Sequence, residues 1–189
     1  MDKRTEIISQ AVSLFAAYGY EGVSVQQIVK AAEVTKPTLY YYFDSKRGLL
    51  KAVLQQYFDV LYTSTQATGV YEGDLTITLR KIATAYIDFA SEHTLFYRMQ
   101  LSLLFSPPQS EAYATILPLK ERQYELLENM FREAAKQHGN MQGRQKEYTV
   151  SFLGTLNAYI EQLLNQQKAS ANDELVNRLV HQFMHGILS

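Results

Sequence analysis

Apolar residues along the first third of the chain recur every three or four positions, the period of a helix with one buried face. Ile7, Ile8, Ala11, Leu14, Phe15 and Tyr18 form one such stripe, and Gly19 follows where a helix would stop. Ser24-Val25-Gln26-Gln27 has the form of a capping box and opens a short helix whose inward face is Val25, Ile28, Val29 and Ala32. Thr35-Lys36-Pro37 restarts the chain: Thr35 suits an N-cap, and Pro37 fits a first turn whose amide has no partner. The next helix carries Thr38-Leu39-Tyr40-Tyr41-Tyr42-Phe43, and Asp44 or Ser45 caps a longer one with the stripe Leu49, Leu50, Val53, Leu54, Tyr57, Phe58, Leu61. Two short helices joined by a tight turn behind a longer packing helix are the layout of a helix-turn-helix, here at about residues 24–43.

The pattern stays helical to the end. Thr68–Asp74 reads as a loop, and helices are expected over 75–93, 94–105, 109–138, 144–168 and 173–188. Pro118 should kink or split the third of these, and His138–Gly143 is a break. The expected architecture is all-α, with about nine helices: a three-helix head over 1–50 and a larger helical bundle over 51–189. On the last two helices, Phe152, Leu156, Ile160 and Leu163 make one apolar stripe and Val176, Leu179, Val180, Phe183 and Ile187 another. Such faces need covering, and a twofold pairing with a second copy is the expectation for them.

Composition narrows the class. The 189 residues contain no Cys, so disulfide frameworks, thiolate metal sites and Cys nucleophiles are excluded. No apolar run approaches the ~18 residues of a membrane span, and the mixed stretch after Met1-Asp2-Lys3-Arg4 is not a signal peptide, so a cytoplasmic protein is expected. Net charge is −1, yet seven of the 18 basic and five of the 19 acidic groups lie in residues 1–51, leaving 11 and 14 beyond. A mildly basic front on an acidic body is compatible with a nucleic-acid-reading head.

The residues from Gly19 to Val29, followed by Val34-Thr35-Lys36-Pro37-Thr38-Leu39-Tyr40-Tyr41-Tyr42-Phe43-Asp44-Ser45-Lys46-Arg47-Gly48, resemble the TetR/AcrR family of bacterial transcriptional regulators. Two positions depart from the family pattern: Glu33 stands at a turn position often held by Gly, and Pro37 where Gly is common. The resemblance implies a homodimeric, ligand-responsive regulator, most simply a repressor, on a near-palindromic double-stranded DNA operator. It also implies that Ser24, Gln26, Gln27, Thr35, Lys36, Thr38, Tyr40, Tyr41, Tyr42 and Lys46 supply the DNA contacts. The chemistry agrees. Lys36 and Lys46 can meet phosphates or a guanine edge, and tyrosines can offer hydroxyls to phosphates or ring faces to thymine methyls. Successive helical residues turn by about 100°, so three consecutive tyrosines cannot all face one core.

The resemblance further implies a small-molecule effector inside the bundle, with Tyr86, Phe89, Phe96, Tyr97, Phe105, Tyr113, Tyr124, Phe152 and Tyr159 as candidate walls and His93 and Arg98 as orienting polar groups. Such walls favour an apolar or aromatic ligand. No cofactor or metal is expected. His181 and His185 share a helix face without a third ligand in metalloprotease order, and phosphate-loop, dinucleotide and nucleophile-elbow motifs are missing from the sequence, so no enzyme is expected. The alternative is a helical ligand-binding or protein-interaction module whose helix-turn-helix no longer reads DNA.

Overall fold

A computed structural model describes residues 2–166 and 172–186. Among these, nine α-helices and one short 3-10 turn account for the regular structure: α1 Lys3–Tyr18, α2 Val25–Ala31, α3 Lys36–Phe43, α4 Lys46–Thr68, α5 Leu75–Glu92, α6 Thr94–Leu104, α7 Glu111–Ala135, α8 Gln145–Asn165 and α9 Asp173–His185. The helical punctuation follows the sequence. Gly19 closes α1 at φ 71° with its N–H on the Phe15 carbonyl. Ser24 caps α2 with the complete box, Thr35 caps α3 through the Thr38 amide, and the Ser45 hydroxyl takes the Gly48 amide at the start of α4. Pro118 does not split α7, which runs through it as one helix. The proline ring lies on an exposed position, so the lost hydrogen bond falls where water can serve the carbonyl.

The chain divides into two compact units. The first takes the residues up to Asp59 together with Leu95–Lys120, the second Val60–Thr94 together with the residues from Glu121. In the first, α1 packs on α2 and α3, and α2 on α3. Ile7, Ile8, Phe15, Ile28, Leu39, Leu49 and Leu50 are each at most 1% exposed there. The second unit has α5, α8 and α9 in mutual contact, around Leu79, Ile82, Phe131, Phe152, Leu156 and Leu179. No helix among the described residues is long and apolar enough to cross a membrane.

Two non-glycine residues on either side of α3 have positive φ, Glu33 at 50° in the α2–α3 turn and Asp44 at 59°. Glu33 adopts the left-handed turn where the family pattern favours Gly, a conformation that costs an L-residue about 1–2 kcal/mol. Gly48 is required for a different reason: a Cβ there would stand 1.9 Å from the Phe43 carbonyl oxygen, so the α3–α4 corner closes only without one.

Candidate nucleic-acid interface

Eight residues make α3 too short to persist alone. Leu39 (0% exposed) and Phe43 (4%) anchor it to the first unit's core, and the Arg4 guanidinium covers the Phe43 ring at 5.6 Å from its centroid. With that face spent, the opposite one is free. Tyr41 is 82% exposed and Tyr40 44%, and Lys36 and Thr35 are exposed beside them. Tyr42 is half-buried between the two sides, its ring edge-on to Tyr41 at 5.1 Å and tilted against Phe43 at 6.0 Å. The three tyrosines therefore divide as the helical rotation requires.

Other expected contact residues are present but partly committed to the backbone. The Gln27 side-chain oxygen accepts the Ser24 N–H and hydroxyl, each at 2.8 Å, which leaves its NH2 for a phosphate. Thr38 is half-buried, and its hydroxyl pairs with that of Thr35 at 2.8 Å. Gln26 is exposed and uncommitted to the cap. Lys46 opens α4 half-buried, its ammonium 4.1 Å from the centroid of the Tyr20 ring. Sequence reasoning missed Tyr20 and Arg4. Tyr20 is 3% exposed, packed on Phe15 at 5.2 Å. Its hydroxyl donates to Glu111, 91 positions away, a partner that no local pattern discloses. Burial, followed by that hydrogen bond, pushes the Tyr20 phenol above its ordinary range. The resulting face combines lysines and aromatic rings on one short helix and its flanks, a set suited to phosphates and base edges.

The family description "Bacterial regulatory proteins, tetR family" matches residues 7–53. That match supports the tetR-family resemblance over the head. Over 100 residues it is 35% identical to the uncharacterized HTH-type transcriptional regulator YuxN of Bacillus subtilis, covering 53% of this chain and 34% of that protein. The chain spans less than half the length of the curated relatives it first matches. Among solved structures, the fatty acid degradation regulator FadR of Bacillus halodurans aligns over 100% of this chain and 97% of its own, with TM-score 0.81 and 20% identity. FadR of Bacillus subtilis, solved with stearoyl-CoA, aligns over 97% and 98% with TM-score 0.79 and 19% identity. At that identity the likeness is one of fold, and it extends beyond residues 7–53.

The residues expected at a twofold interface require correction. Phe152, Leu156, Ile160, Val176, Leu179 and Val180 are each at most 2% exposed, while Leu163 and Phe183 are half-buried. Ile187 lies outside the described residues. The six buried positions are consumed where α8 and α9 pack on α5 and on each other. Helical periodicity identifies an apolar face without saying what covers it.

The candidate effector residues are divided between the two units. Tyr86, Phe89, His93, Tyr124, Phe152 and Tyr159 belong to the second unit, and Phe96, Tyr97, Arg98, Phe105 and Tyr113 to the first. Phe105 is 87% exposed and cannot wall a pocket within its unit, and Arg98 is likewise exposed. Tyr86, Phe89, Phe96, Tyr97 and Phe152 are core. Tyr113 and Tyr124 are half-buried, His93 meets Phe89 edge-on at 4.8 Å, and the Tyr159 hydroxyl donates to Gln182 at 2.8 Å. Cavities of about 570 and 620 Å³ in the second unit are lined by other residues, the former by Phe131, His138, Met141, Tyr148 and Phe183, the latter by Arg80, Lys81 and Asp88 among others. The sequence missed the first because its walls come from five separate segments.

Proposed function

We propose that this chain is a DNA-binding transcriptional regulator, acting as a ligand-responsive repressor. It binds a near-palindromic operator as a homodimer, with α3 of each copy in the major groove. The observation that carries the reading is the two-sided anatomy of α3: Leu39 and Phe43 are buried, and Tyr41 is 82% exposed between lysines, on a head matching the tetR family. Lys46 and the free amides at the start of α4 hold a phosphate, while Lys36 and Tyr41 approach base edges.

For the dimer, the outer face of α8 replaces the buried stripes. Val150, Gly154 and Ala158 are exposed at four-residue spacing, and the exposed Met184 supplies a contact from α9. Two recognition helices then meet successive major grooves about 34–36 Å apart. An effector held by the second unit shifts the population of dimer conformations away from that spacing and lowers operator affinity. The stearoyl-CoA bound by the FadR of Bacillus subtilis makes a long-chain acyl thioester the first effector to try.

Selection of duplexes from a random pool with the full chain tests the reading. A recovered site with two inverted half-sites about one helical turn apart is expected. Recovery of no common sequence, with no retention on any duplex at low salt, would favour the module that has lost DNA reading.

A further inference from the structure

At Tyr20 a phosphate-clamp candidate, the head core and the start of α7 meet within the first unit, and the inference rests on the DNA-binding reading above. The Tyr20 ring is anchored against Phe15, its hydroxyl donates to the Glu111 carboxylate at the first residue of α7, and its face carries the Lys46 ammonium at 4.1 Å. That separation is well inside the ~6 Å reach of a cation–π contact. A phenol donating to a carboxylate has a more electron-rich ring, which strengthens its hold on a cation. Lysine otherwise spreads over many rotamers, so an ammonium already placed loses less freedom when it meets a phosphate. The contact uses the ring face and leaves ammonium N–H donors for that phosphate.

We propose that Tyr20 and Glu111 are positioning residues for Lys46: the Glu111–Tyr20 hydrogen bond fixes the ring that holds the lysine at the head's DNA-facing corner, so the phosphate contact is set from the N-terminus of α7. Sequence preference stays with α3, and the latch governs only strength. Burial and the bond to Glu111 both favour the neutral phenol, which keeps the hydroxyl a donor throughout the neutral range.

A double-mutant cycle on the full chain tests this, with affinity read on one selected duplex across a salt series and melting temperature recorded on the same samples. Lys46→Ala weakens binding and lowers the salt slope by about one. Tyr20→Phe, which keeps the ring and removes the hydroxyl, is expected to weaken binding about fivefold, and Glu111→Gln by less. In the Lys46→Ala background neither substitution has a further effect, because the side chain they position is gone. If Tyr20→Phe costs the same factor with and without Lys46, or costs nothing in either, the latch is overturned while the Lys46 contact stands. If Lys46→Ala itself leaves affinity and salt slope unchanged, the phosphate clamp fails and the latch falls with it. Should Glu111→Gln unfold the head, Tyr20→Phe alone completes the cycle.

Discussion

Three adjacent tyrosines on α3 occupy three environments, and that difference assigns them different work. Under the DNA-binding proposal, Tyr41, 82% exposed, and the exposed Lys36 take the base-edge role. Replacing either by alanine is expected to change which duplex is preferred, by about 1–3 kcal/mol at the position contacted, whereas Lys46→Ala weakens all duplexes alike. Parallel selections with each variant check this, and identical consensus sites from wild type and Tyr41→Ala would contradict it. Tyr86 makes the opposite case. Its ring is 1% exposed, and its hydroxyl lies near Thr65 and Gln123 without reaching hydrogen-bond geometry with either, the Thr65 hydroxyl being spent on the Leu61 carbonyl. Tyr86→Phe is therefore expected to be neutral or stabilising by up to about 1 kcal/mol in denaturant melts. A loss above that would reveal a bonded hydroxyl.

The same burial raises the Tyr86 phenol above its ordinary value of 10.0, and Tyr20 is raised with it. Both phenols bind their protons more tightly folded than unfolded. Their contribution to stability is thus complete below pH 10 and is lost as pH climbs above it. Melting temperature measured upward from pH 9 should show an alkaline decline, shallower in Tyr86→Phe.

At the scale of the element, α3 is held in place by its neighbours. Leu39 is fully buried, and Leu39→Ala is expected to cost about 2–5 kcal/mol and to abolish DNA binding through loss of the helix. Gly48→Ala should reverse the usual helical preference for alanine. The added Cβ meets the Phe43 carbonyl at 1.9 Å, so the variant loses stability instead of gaining the ~1 kcal/mol that an unhindered helix would show. Circular dichroism melts separate the two signs. Elements were legible from the chain because their causes are local. The Ser24 box, Thr35 cap and Gly19 stop lie within four residues of what they control. The α7 proline misled in part: a ring on an exposed position interrupts one hydrogen bond without ending the helix.

At the scale of the molecule, legibility fell where partners are distant in sequence. The Tyr20–Glu111 contact spans 91 positions, and the walls of the 570 Å³ cavity come from the α4–α5 loop, α7, the turn at Gly139–Met141, α8 and α9. Nor could periodicity say whether the α8 and α9 stripes faced a partner or their own core; they face the core. The dimer prediction therefore rests on the exposed Val150-Gly154-Ala158 row. Ala158→Glu is expected to shift sedimentation toward monomer and to weaken operator binding, with the head still folded.

The central claim, that the outer face of α3 and the start of α4 bind DNA, is tested most directly by titrating one selected duplex with wild type and with the combined Lys36→Ala, Tyr41→Ala, Lys46→Ala chain at several salt concentrations. Wild type is expected to bind in a salt-sensitive manner and, in a folded triple variant, affinity is expected to fall at least about 100-fold with a slope reduced by about two. Equal affinity and equal slope for the two proteins would contradict it.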